Sequence, residues 1–235
     1  MRGVLVAVVL ALLAGCVGET AEPLAPPDVA IIASDCRLLQ VVDAQSAPVE
    51  QVEPFLPPGA VALASESGHA RLTLSVLACD TTSGVEAGTT GLAWAWLAAD
   101  LASDGSRQLV IEHWAPAGRW SDALAARAAP TPVHGLAFDV DDGALVAHAA
   151  NATTHLRIAM PTTTRDAAPP AALVLVFPTG AHLDLALDAT GPTRATIGAF
   201  ELPAESVARE LLGPNGVRAG TYATALAAQG TLRSS

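Results

Sequence analysis

The sequence contains no lysine. All 12 of its basic residues are arginine, set against 23 aspartates and glutamates in 235 residues. This absence excludes a Schiff-base lysine, a phosphate-loop lysine and a lysine general base. The shortage of positive charge, a formal net charge of −11, argues against a nucleic-acid partner, because gripping phosphates needs a basic face. Catalytic signatures are missing as well. There is no Gly-x-Ser-x-Gly elbow, no His-Glu-x-x-His, no Cys-x-x-Cys and no dinucleotide glycine fingerprint, which disfavours the common hydrolase, zinc-peptidase, redox and Rossmann readings. No repeat of the propeller or solenoid kind is present. No apolar run approaches the ~20 residues a membrane-spanning helix needs.

What is present begins with an address. Met1-Arg2 carries one positive charge, Gly3 to Leu13 is almost wholly apolar, and the small pair Ala14-Gly15 precedes Cys16. The length suits the apolar region of a signal peptide. The run Leu13-Ala14-Gly15-Cys16 resembles the lipobox of prokaryotic lipoproteins. The resemblance implies cleavage of residues 1–15, lipidation of the Cys16 sulfur, and export of the remainder tethered to a cell membrane or an outer membrane. Val17, rather than Asp, after the cysteine leans toward the outer membrane where one exists. An ordinary secretory signal with a chance cysteine is the rival reading. Residues 16–28, rich in Glu, Pro and Ala, read as an extended tether, and 29–235 as one domain large enough for a real core.

Cys36 and Cys79 remain after the anchor. In an oxidising compartment such a pair reads as a disulfide; a catalytic thiol is the rival, with no histidine in a recognisable cysteine-protease context. The chain then reads as nine or ten short strands punctuated by Gly and Pro. Strands are expected over Asp35–Val42, Arg71–Cys79, Leu92–Leu101, Gln108–Ala115, Val133–Val140, Ala144–Ala150, Thr153–Met160, Ala171–Phe177, Leu183–Asp188 and Arg194–Leu202. A last strand is expected from Tyr222–Leu226 with Thr231–Arg233. Thr81–Thr90 and Thr162–Pro170 read as loops. Short helices are expected over Pro48–Phe55, Trp120–Ala129 with Ser121 as cap, and Glu205–Leu212, closed by Gly213 and Pro214. In Arg71–Cys79, alternation puts Leu72, Leu74, Val76 and Ala78 on a buried face and Arg71, Thr73 and Ser75 on a wet one. The fold class is therefore mainly β, all-β or strand-dominated α+β: a single sandwich or partly closed barrel with two or three short helices.

Between Cys36 and Leu101 one arrangement is more specific. An early strand leads into a short helix ending Val52-Glu53-Pro54-Phe55-Leu56-Pro57-Pro58-Gly59; Gly68, the strand Ala70–Cys79, a loop and a Trp-bearing strand follow. This resembles the start of acetoacetate decarboxylase-like proteins, in which a helix ending in Leu-Pro-x-Gly precedes the strands of a cone-shaped β-barrel around a ligand cavity. The resemblance covers under a third of the chain. It implies a cavity suited to a small apolar or acidic molecule. The decarboxylase forms an imine through a lysine, which this chain lacks, so that reaction is not implied.

Three groups of residues carry candidate chemistry. Trp94 and Trp96 share a strand face, and His113 stands between Glu112 and Trp114 in an apolar strand; together they are candidate ligand-binding residues, with plain core packing as the alternative. If Ala144–Ala150 and Thr153–Met160 form a hairpin turning at Asn151-Ala152, His148 falls opposite His155, ~5 Å apart at Cβ. Two imidazoles on one face are a candidate metal site, but a durable one needs further ligands; His134 and Asp139 would serve only from an adjacent strand. Asp139, Asp141 and Asp142 beside Gly143 make an acidic turn without EF-hand spacing. No catalytic residue and no cofactor is nominated. The favoured function is a lipid-anchored envelope protein whose β domain binds a small molecule or a partner without catalysis. The alternatives are an acetoacetate decarboxylase-like enzyme of altered, lysine-independent chemistry and a structural or interaction protein of the envelope.

Overall fold

The computed structural model describes residues 27–83, 92–116, 118–128, 133–134, 136–141, 144–149, 157–167 and 172–234. Twelve strands lie among them: β1 Val29–Pro48, β2 His69–Ser83, β3 Leu92–Asp100, β4 Arg107–Trp114, β5 Val133–His134, β6 Leu136–Asp141, β7 Ala144–Ala149, β8 Arg157–Asp166, β9 Leu173–Val176, β10 His182–Ala189, β11 Thr193–Glu201 and β12 Asn215–Arg233. Two α-helices accompany them, α1 Arg119–Ala128 and α2 Val207–Leu212, with 3-10 turns at Val49–Gln51 and Glu53–Phe55. None of the described helices is long and apolar enough to cross a membrane.

Seven strands close into a ring in the order β1, β2, β3, β4, β9, β10, β12, with β12 returning to β1. The ring is antiparallel except where β9 runs parallel to β4. β12 is long enough to serve two partners on one edge. Its Leu226–Arg233 part pairs with β10, and its Asn215–Ala223 part pairs with β11, which continues to β8. The result is a barrel with a two-stranded flange. β6 and β7 form a separate two-stranded sheet.

Side chains alternate across a strand, and directly paired residues share a face. β1 to β4 therefore contribute to two cores. Their barrel-facing residues, among them Leu38, Leu77, Trp94, Trp96 and Val110, meet Leu175, Phe177, Leu183 and Leu232 inside. Their outward residues, among them Leu39, Val41, Leu74, Val76, Leu97 and Trp114, meet Phe200 of β11 and Leu211 and Leu212 of α2. Glu112, fully buried on that outer side, accepts the Ala208 N–H at 2.8 Å in the first turn of α2. The carboxylate satisfies an orphan donor at the positive end of the helix. Ser206 caps the same helix and Gly213, at φ 87°, ends it.

The structure corrects several sequence expectations. β2 is not half-buried: Thr73 and Ser75 are 3% and 0% exposed, because their face looks into the barrel rather than to water. Pro48–Phe55 makes two 3-10 turns instead of one helix, with Pro54 early in the second. β8 runs through 162–166, where a loop was expected, since threonine suits strands as well as loops. Tyr222–Leu226 and Thr231–Arg233 do belong to one last strand, as expected, but it is longer than the two pieces and runs 19 residues, Asn215–Arg233. Ser121 lies inside α1; its Oγ accepts from Gly118 N–H and donates to Gly118 C=O, serving the helix start from within. Cys36 and Cys79 face each other across β1 and β2 and are joined as a disulfide.

Candidate functional site at the barrel mouth

At one end of the barrel the inward stripe of β1 and β2 turns polar. Gln40 and Val42 of β1, Arg71 and Thr73 of β2, Gln108 of β4 and Leu173 of β9 line an opening of about 300 Å³. The β3–β4 turn forms its rim. Gly105 takes φ 72° there, and Asp104 Oδ1 accepts from both the N–H and the hydroxyl of Ser106, at 3.0 and 2.6 Å. Those two bonds hold the Asp104 carboxyl below the usual carboxylate range. Ser106 C=O in turn accepts from Val174 N–H at 2.7 Å, tying the rim to β9.

Three polar groups are fixed below the rim. Asp100 and Gln108 are direct partners across β3 and β4, and Gln108 Nε2 donates to Asp100 Oδ1 at 3.1 Å. Arg71 Nε stands 3.2 Å from Asp100 Oδ2. Asp100 is 1% exposed; burial pushes its carboxyl above the ordinary value, against the pull of Arg71 and Gln108. Because Asp100 orients the amide of Gln108, the acceptor Oε1 is the end left without a hydrogen-bond partner among the described residues, in a residue only 3% exposed.

Deeper in the barrel the interior is filled by packed aromatic side chains. Ser75 pairs with Trp96, and Trp96 pairs with His113. Trp94 and Trp96 stack with centroids 4.3 Å apart, Trp120 of α1 meets Trp94 edge-on at 5.6 Å, and His113 meets Phe177 edge-on at 5.9 Å. The indole N–H groups of Trp94, Trp96 and Trp120 have no hydrogen-bond partner among the described residues. The structure thus brings Trp94, Trp96 and His113 together in the barrel interior, all fully or nearly fully buried.

The histidine pair is another matter. β7 is hydrogen-bonded to β6, with His148 opposite Ala137, and β8 to β11; His155 and the supposed turn at Asn151-Ala152 lie outside the described residues. So do Asp142 and Gly143 of the acidic turn, and Cys16 with the signal and most of the tether. Among the described residues no three His, Cys, Asp or Glu side chains are grouped to hold a metal ion.

Sequence reasoning missed Arg71, Asp100, Gln108, Trp120 and Phe177 as members of this interior. Asp100 ends β3 and Gln108 stands near the start of β4, so each reads as an ordinary polar strand end until the register pairs them.

The fold has solved counterparts. The chain superposes on acetoacetate decarboxylase from Legionella pneumophila with a TM-score of 0.62, covering 92% of both chains at 12% identity. An acetoacetate decarboxylase-like enzyme from Sphingomonas wittichii gives 0.56 at 11% identity, covering 88% of this chain and 91% of that one. The enduracididine biosynthesis enzyme MppR, in complex with pyruvate, gives 0.52 at 14% identity, covering 91% of each.

The fold is that of the acetoacetate decarboxylase-like proteins.

No family model and no curated protein matches the chain in sequence. The fold is here built without any lysine, so no lysine imine can form in its barrel.

Proposed function

We propose that this chain is an exported, lipid-anchored protein whose acetoacetate decarboxylase-like barrel binds a small molecule at its mouth without converting it. The observation that carries the reading is the unpaired Oε1 of Gln108 at the wall of the opening. A buried acceptor without a partner costs about 1–3 kcal/mol, which a ligand's donor group recovers. The missing lysine supports binding over imine chemistry. The anchor rests on Leu13-Ala14-Gly15-Cys16 and on the paired cysteines, which suit an oxidising compartment.

Native mass spectrometry of the exported protein tests the reading. Extra mass that leaves on denaturation is the expected result, and it identifies the occupant. A bare chain, less the two hydrogens of the disulfide, under conditions that retain weak ligands would count against it and favour the interaction-protein alternative.

A further inference from the structure

We infer that the mouth receives a solute that leads with N–H donors, a primary amide or a single guanidinium or ammonium group, rather than a carboxylate. This rests on the reading of the mouth as a small-molecule site, and it reverses the expectation of an acidic ligand.

The argument is one of counting. Gln108 Oε1 is buried, oriented by Asp100 and unpaired. Asp100 Oδ2, also buried, has the charge of Arg71 at 3.2 Å but no hydrogen bond among the described residues. Both are acceptors, and both ask for donors. Charge points the same way. Of the charged side chains that line the opening, Arg71 is positive and Asp104 negative, and Asp100 stands behind Arg71, 3.2 Å from its Nε. The field of Arg71 is largely engaged by Asp100, and an incoming carboxylate meets more negative than positive charge. A neutral or singly positive donor meets none of that opposition. The volume, about 300 Å³, sits at the small end of ligand sites and fits a solute of few atoms.

Nitrogen-15 NMR of the exported protein, titrated with propionamide, methylguanidinium and propionate, tests the inference. The two donors are expected to shift the Gln108 side-chain amide and the Ser106 backbone amide saturably, and propionate to leave them still. Gln108→Leu, which removes the acceptor, is expected to weaken donor binding at least tenfold. Should that variant not fold, Ala172→Trp gives the answer. Ala172 is exposed at the lip, and the indole is expected to close the opening and abolish the donor shifts. Propionate binding as well as or better than the donors overturns the donor preference and leaves the mouth as a binding site. Donor shifts that persist unchanged in Ala172→Trp overturn the location. Silence from all three probes, together with a bare chain in native mass spectrometry, overturns the binding reading itself. A co-purified molecule lacking N–H groups sinks only the inference about its chemistry.

Discussion

Removing the disulfide is the perturbation whose size the structure fixes best. Cys36 and Cys79 lie 43 residues apart in sequence and directly opposite across β1 and β2. The segment of β1 around Cys36 is irregular. Asp35 sits at φ 54°, and the register with β12 shifts on both sides of Cys36. The bond thus pins a stretch whose ladder is interrupted. In the chain-entropy account, closing a loop of that length costs the unfolded state about 4 kcal/mol at room temperature. For a domain of this size each kcal/mol moves Tm by roughly 2–4 °C, so loss of the bond should lower Tm by about 8–16 °C. The assay is thermal unfolding of the exported protein beside Cys36→Ala/Cys79→Ala, with reduced wild-type protein as a third sample. Reduction leaves both buried sulfurs in place, so agreement between the reduced and substituted proteins assigns the loss to the crosslink rather than to vacated volume. A fall below about 1 kcal/mol in both would refute the reasoning, because the bond would then not be restricting the unfolded chain.

Three further outcomes are expected. Cys16→Ser should abolish incorporation of an alkyne fatty acid and release the protein from the membrane fraction, while Cys36→Ser should leave lipid labelling intact. For Asp100 the sign follows from burial, which raises its folded value. The folded protein keeps that proton where the unfolded chain has already lost it. The associated stability is whole below the ordinary carboxylate range and is lost as pH rises through the raised value. The urea-derived stability of wild type minus that of Asp100→Asn should therefore fall with pH across that window, and a difference that rises instead refutes the assignment. Gly220→Ala should cost about 1–3 kcal/mol, since its Cβ would stand 2.5 Å from the Gln40 carbonyl oxygen on β1. Hydrogen exchange should then quicken along the β1–β12 seam, and unchanged exchange would mean the seam accommodates the methyl.

The strands of the first half were legible because their alternation is clean. What alternation does not reveal is which medium each face meets. Arg71, Thr73 and Ser75 form the polar stripe that a solvent-facing strand would show, yet it turns inward because the sheet closes on itself. That closure depends on β12 meeting β1, a contact between the two ends of the domain that no local pattern records. The glycines of β12 misled for a related reason. Gly220 and Gly230 fall just outside the two expected pieces of the last strand, but an added Cβ would meet the Gln40 and Asp184 carbonyl oxygens at 2.5 and 2.8 Å. They mark the close approach of neighbouring strands within a continuous strand. Trp94 and Trp96 could be put on one face from their alternate spacing alone, and His113 stood out as a polar residue in an apolar strand; that the three share one interior is visible only from the pairing of Trp96 with His113. Asp100 and Gln108 were not singled out, because a polar pair across a strand seam is visible only once the register is known.

The seam between Val29 and Leu232 has a consequence for the order of assembly. The ring's opening strand finds its second neighbour only in the strand that finishes the ring. Local hairpins such as β2–β3 and β3–β4 can gather early, but they form an open sheet whose inward polar stripe stays wet. Closure waits for nearly the whole domain, and a fold governed by such distant pairings assembles slowly. A polypeptide of this design is thus naturally late to mature.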